Sequence, residues 1–174
     1  MSSLEQRLRT QPEPYVAMSV GIPGSGKTTV LSAVADRLGI VRVSLDEIRG
    51  ELAGDQANQT MNSVVWSEVY RRTGLLLADE RSVVIDATGA NHLFRRDTVS
   101  RCRALGAASV VAVRFCIPLD IAVARNAARN RVVPERVLVS MFDNLAQYPV
   151  SQGEGFDEVI SLQYDADGGY EYRW

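Results

Sequence analysis

The chain has 174 residues, 46% of them hydrophobic and 23% charged, with a formal net charge of −2. That balance suits a single globular domain from Met1 to Trp174 with a substantial core, and it excludes a global basic field, so any polyanion must be gripped by a local arginine cluster. The two cysteines, Cys102 and Cys116, are too few for a disulfide framework, no run matches a membrane span and the polar first ten residues lack the apolar core of a secretory signal, so a reduced, cytoplasmic protein is expected.

Ser3–Arg9 suits a short helix, which Gln11-Pro12-Glu13-Pro14 breaks. Tyr15–Val20 is an apolar, β-prone first strand. It runs directly into Gly21-Ile22-Pro23-Gly24-Ser25-Gly26-Lys27-Thr28, followed by Thr29. The stretch fits G-x-x-x-x-G-K-[ST], with a strand before it and a predicted helix, Lys27–Leu38, after it. Glycines let the backbone curl so that N–H groups point at phosphate oxygens, and the new helix turns its positive end to the same anion. Lys27 can then reach the outer phosphates of ATP or GTP, and the Thr28 hydroxyl can ligate Mg²⁺. Among the 19 basic residues Lys27 is the single lysine, a compact ammonium kept where phosphate favours one.

In the helix after the loop, Val30, Leu31, Val34, Ala35 and Leu38 repeat at helical spacing, and Gly39 stops it. Residues 40–44 read as a second strand, 45–52 as a short helix and 53–59 as a polar loop. Residues 61–80 read as a long helix whose apolar face draws on Val64, Val65, Val69, Leu75, Leu76 and Leu77. A third strand, 82–85, is closed by Asp86. A loop at 88–91 and a helix at 92–105 follow, and then a long apolar fourth strand, Ser109–Cys116. Pro118 opens a helix predicted to run through 130, and a charged break at 129–134 leads to another that ends at 147. Residues 158–161 read as the last parallel strand, and 161–164 with 170–174 as a closing hairpin. Alternating strands and helices predict an α/β fold, a five-stranded parallel sheet with helices on both faces. Ligands of such sheets sit at the carboxyl ends of the strands.

Three groups of polar residues fall there. Asp46 and Arg49 are three apart and share a face at a helix start. Such a carboxylate can take the proton of an attacking hydroxyl, and such an arginine can clamp a phosphate. The same residues also suit a helix cap and a solvated surface arginine. Asp86 ends an apolar strand beside the loop, where it can hold the water shell of Mg²⁺ or cap a turn. Arg125, Arg129 and Arg131 form the third group. On a helix reaching residue 130, Arg125 and Arg129 sit one turn apart and repel unless an anion bridges them. A lid of about residues 125–142 carrying them can close over phosphates and exclude water; the other reading is a charged surface helix. His92 falls in the first turn of a helix. Trp66 and Tyr70, four apart, suit the core or a groove wall. Asp165-Ala166-Asp167-Gly168 resembles the start of a phosphatase nucleophile motif but reads as a turn.

Taken together, G-I-P-G-S-G-K-T-T, S-L-D-E-I-R, V-V-I-D-A-T and A-R-N-A-A-R-N-R-V-V-P-E-R-V resemble the polynucleotide 5′-hydroxyl kinases, both the phage-type enzymes and the kinase modules of bacterial RNA end-healing proteins. The resemblance covers residues 15–142. It implies a P-loop fold with an arginine-bearing lid, ATP or GTP as donor, Mg²⁺, and a DNA or RNA 5′-hydroxyl end as acceptor. Asp46 would be the general base, and Arg49 would hold the 3′-phosphate of the acceptor. Lys27 and Arg129 would stabilise the transferring phosphoryl group, and Arg125 would assist at the donor. Thr28 would bind the metal, with Asp86 near metal or acceptor and Thr88 at the acceptor. Gly89 departs from the family pattern, which has Asn there. Two rivals remain: a small-molecule kinase whose acceptor pocket lies between residues 53 and 61, and a nucleotide-binding module with no acceptor chemistry. Asp46, Arg49 and Arg129 together count against the second, since a switch needs no acceptor base.

Overall fold

The computed structural model describes residues 3–54, 61–165 and 169–173. Its strands are β1 (Tyr15–Val20), β2 (Val41–Ser44), β3 (Val83–Asp86), β4 (Ser109–Cys116), β5 (Glu158–Tyr164) and β6 (Tyr170–Arg173). The helices are α1 (Ser3–Arg9), α2 (Lys27–Leu38), α3 (Leu45–Ala53), α4 (Asn62–Ala78), α5 (His92–Ala104), α6 (Leu119–Ala127) and α7 (Glu135–Gln147). One sheet holds the strands in the order β2-β3-β1-β4-β5-β6. The first five are parallel, as expected, and β6 pairs antiparallel with β5.

Every residue of β1 is buried, because it lies between β3 and β4 and is covered on both faces. Successive side chains point to opposite faces, which divides the core in two. Val16, Met18 and Val20 join Val65 and Val69 of α4 and Val99 of α5 on one side. Tyr15 and Ala17 join Leu31 and Val34 of α2 and Leu4 and Leu8 of α1 on the other. Each fully buried aliphatic side chain stabilises the fold by roughly 1.5–3 kcal/mol, so β1 and the loop that follows it are anchored from two directions.

Some expectations change. The buried face of α4 is Val65, Val69, Thr73 and Leu77, one residue per turn, while Val64 and Leu75 are exposed. A narrow stripe suffices because α4 meets the core along one line, so the wider apolar pattern overstated its burial. α6 ends at Ala127, not at 130, and β5 runs on to Tyr164, where its partner β6 extends the ladder. The hairpin closes through Asp165, whose N–H donates to Gly169 O at 3.1 Å and whose carboxylate accepts from Gly169 N at 2.7 Å. Residues 166–168 of that turn, residues 55–60 of the expected polar loop and Trp174 lie outside the described residues. Among the described residues no helix is long and apolar enough to cross a membrane.

Candidate active site

The phosphate loop rises from the carboxyl end of β1 and enters α2 through Gly26, the N-cap, which has φ 77°. Gly24 has φ 83°, and a Cβ there would stand 2.4 Å from Ala122 O of α6. Both the backbone angle and the close approach require glycine. Gly21 N donates to Thr88 O at 2.9 Å, tying the loop to the segment after β3.

Lys27 is buried and lies across the loop, donating from Nζ to Gly21 O at 2.8 Å, Ile22 O at 2.9 Å and Ser25 Oγ at 3.3 Å. Burial lowers its pKa to about 8; nearby Asp86 and Asp46 oppose the shift, and Arg129 reinforces it. The ammonium therefore feels carboxylates from two strand ends and an arginine from the far wall.

Those groups face one cleft of about 840 Å³. Its floor is Pro23, Gly24, Gly26, Lys27, Thr28 and Thr29. Asp46, Arg49, Asp86 and Thr88 line it as well, as do Arg125, Arg129 and Arg131. Gly21 and Ser25 lie behind the floor as part of the loop's own bonding. Apart from Gly21 and Ser25, the candidate site residues thus line one space.

Asp46 sits in the first turn of α3, whose N-cap is Ser44, with Oγ accepting from Glu47 N at 3.4 Å. The cap role therefore belongs to Ser44, and the Asp46 side chain, 50% exposed, is left to the cleft. It accepts from Arg49 Nη1 at 2.6 Å and from Arg131 Nη1 at 3.1 Å. Arg49 is not a solvated surface arginine: it is 5% exposed and also donates to Asn62 Oδ1 at 3.1 Å.

Thr28 Oγ1 donates to Asp86 Oδ2 at 2.9 Å. An alcohol and a carboxylate side by side, at the edge of an anion-binding loop, suit a hard divalent ion such as Mg²⁺, which takes few protein oxygens and completes its octahedron with water and phosphate. Among the described residues no group of three or more His, Cys, Asp or Glu could hold a metal ion. Arg42, which the motifs did not single out, donates to the same Asp86 oxygen at 3.0 Å and pairs with Glu47.

The lid segment differs from its expected form. With α6 ending at Ala127, Arg129 lies beyond the helix, and Arg125 and Arg129 do not share a helix face. Arg125 lies over the Tyr164 ring, 4.7 Å from its centroid, and donates to the Tyr164 hydroxyl at 3.1 Å. Buried Asn126 bonds both polar groups of Val133, which turns the chain back and brings Arg129 and Arg131 to the cleft.

One further feature escaped the motifs. Arg95 is fully buried in α5; it donates to Gly89 O at 2.9 Å and Tyr148 O at 2.8 Å and pairs with Glu154, so it fixes the segment after β3. His92 stacks on Tyr148, with ring centroids 3.9 Å apart, and Trp66 packs on Phe94 at 4.4 Å, which gives these rings structural work.

The family model described as an AAA domain matches residues 16–148. The chain belongs to that family. Solved structures similar to this AAA-domain chain share the P-loop kinase fold. A chain of the Pnkp1/Rnl/Hen1 RNA repair complex has TM-score 0.69 and 22% identity, with 87% of this chain and 49% of that one covered. This AAA domain thus spans about half the length of that relative. A fungal RNA kinase has TM-score 0.60 and 20% identity over 88% of this chain and 40% of its own. The shikimate kinase of Bacteroides thetaiotaomicron has TM-score 0.56 and 18% identity over 84% and 86%. The AAA-domain fold is therefore shared by an RNA kinase and a shikimate kinase, and it supports phosphotransfer without selecting the acceptor.

Proposed function

We propose that this chain is a Mg²⁺-dependent phosphotransferase that moves the γ-phosphate of ATP or GTP to the 5′-hydroxyl of a DNA or RNA end, in the manner of the polynucleotide 5′-hydroxyl kinases. The observation that carries the reading is Asp46: a half-exposed carboxylate held by Arg49 and Arg131, in the same cleft as Lys27. A nucleotide switch has no use for such a group. An alcohol acceptor does, because its proton must leave as the O–P bond forms.

The chain's own residues divide the work. The loop amides and Lys27 seat the β- and γ-phosphates. Asp46 accepts the proton of the attacking hydroxyl, and Arg49, with its rigid fork of donors, binds a phosphate of the acceptor. Arg129 and Arg125 face the donor from the lid, where they offset negative charge spreading over the equatorial oxygens. Thr28 and Asp86 would hold Mg²⁺, which would supply charge neutralisation for the donor phosphates. Thr88 borders the acceptor side. Four arginines and Lys27 around the cleft supply the local cationic cluster that the net charge of −2 does not. Cytosol is the fitting compartment, since the donor is there and Cys102 and Cys116 are free thiols.

The test is transfer of labelled γ-phosphate to a panel of acceptors: 5′-hydroxyl DNA and RNA oligonucleotides, a nucleoside 3′-phosphate, the bare nucleoside, and small alcohols such as shikimate. Labelled oligonucleotide 5′ ends are expected, with the 3′-phosphate preferred over the bare nucleoside. Label on a small alcohol alone would make this a metabolite kinase. Hydrolysis with no acceptor labelled would leave a nucleotide-binding module.

A further inference from the structure

The hairpin of β5 and β6, which the sequence presents only as the close of the chain, reaches the phosphate loop. Tyr170 opens β6, and its hydroxyl donates to the carbonyl of Ser25. Its ring is held edge-on by Phe115 at 5.3 Å and by Tyr164 at 5.8 Å between centroids. The same ring closes over Gly26, where a Cβ would meet Tyr170 Cε2 at 3.6 Å. Tyr170 thus stands behind the loop, while Gly26 borders the cleft.

The Ser25 carbonyl and the Gly26 N–H belong to one peptide unit. In a planar trans peptide these two groups point in opposite directions. Holding the carbonyl back toward the hairpin therefore turns the N–H forward to the phosphate site. Glycine at Gly26, with φ 77°, is the residue at which such a unit flips most easily. We infer that Tyr170 is a positioning residue for the donor phosphates, locking the Ser25–Gly26 peptide with its N–H turned into the cleft; this rests on the donor-site reading above. Burial raises the Tyr170 pKa to about 12, so the hydroxyl remains a donor through neutral and mildly alkaline pH.

Tyr170→Phe keeps the ring and both aromatic contacts and removes only the hydroxyl. The experiment is calorimetric binding of ATP and of inorganic tripolyphosphate, each with Mg²⁺, together with steady-state kinetics. Loss of one hydrogen bond's orienting effect is expected to weaken both ligands by the same factor, about tenfold, with acceptor KM unchanged. A variant that loses ATP affinity but keeps tripolyphosphate affinity would show the hydroxyl acting on the nucleoside, which overturns the inference. Undiminished affinity for both overturns it too, and leaves the phosphotransferase reading standing. Wild-type protein that binds neither ligand overturns the donor site itself, and this inference with it.

Discussion

Asn126 holds both polar groups of Val133: its Nδ2 donates to Val133 O at 2.8 Å, and its Oδ1 accepts from Val133 N at 3.1 Å. This clasp ends α6 and reverses the chain, and the arginines between its two ends face the cleft because of it. Asn126→Ala leaves both backbone groups to find other partners, at a cost of about 1–3 kcal/mol. Faster hydrogen exchange across residues 128–134 is expected, with kcat falling more than donor affinity. Unchanged exchange there would mean the turn holds without the clasp.

Asp46→Asn keeps the shape of the side chain and removes its basicity. Phosphoryl transfer is expected to fall about 10²–10⁴-fold, the range for losing a positioned general base. Nucleotide affinity, measured separately by calorimetry, should stay close to wild type. Near-normal turnover removes Asp46 from the role of base.

Arg49→Ala is expected to raise acceptor KM well above its effect on donor KM, since Arg49 lies with Asp46 and Asn62 rather than over the loop. Arg49→Lys should rescue poorly, because an ammonium cannot reproduce the planar fork. A change confined to ATP affinity would place Arg49 on the donor side.

Arg95 and Glu154 form a pair with side-chain exposures of 0% and 10%. Glu154→Ala strands a buried guanidinium, which costs roughly 3–5 kcal/mol when one partner of such a pair is removed. The urea midpoint should drop accordingly. Arg95→Met/Glu154→Leu should be less destabilised than Glu154→Ala, since no charge is then left behind; equal losses would mean packing, not charge, governs the site.

Burial pushes the Cys102 thiol from 9.0 up to about 12. The folded state thus favours the neutral thiol. That contribution is complete below pH 9 and is lost as pH rises toward 12. Lys27, lowered from 10.5 to about 8, acts with the opposite sign: its buried charge disfavours the fold below pH 8, and stability is gained between 8 and 10.5. Comparing urea midpoints at pH 8 and 10.5 separates them. Cys102→Ala should gain more stability than wild type across that interval, since it keeps the Lys27 gain without the loss at the thiol; an identical pH dependence would show that the thiol does not titrate there.

Much of this site was readable in the chain because its rules are local. The phosphate loop declares itself through glycines that φ above zero demands and through a strand and helix adjoining it. The strands declare themselves through unbroken apolar runs, as in β1 and β4, which parallel sheets require. Asp46, Arg49 and Asp86 could be picked out because each follows a strand, and strand ends converge in such a sheet. What the chain could not display is which long side chains meet across the fold. Arg131 reaches Asp46 over 85 positions, Arg42 reaches Asp86 over 44, and Tyr170 reaches the loop over 145. Those meetings depend on strand order, on where α6 stops and on the direction each guanidinium or ring takes. Residue pattern carries none of that, because the same arginine serves a solvated face or a buried clasp, and burial, which emerges when the layers close, decides between them.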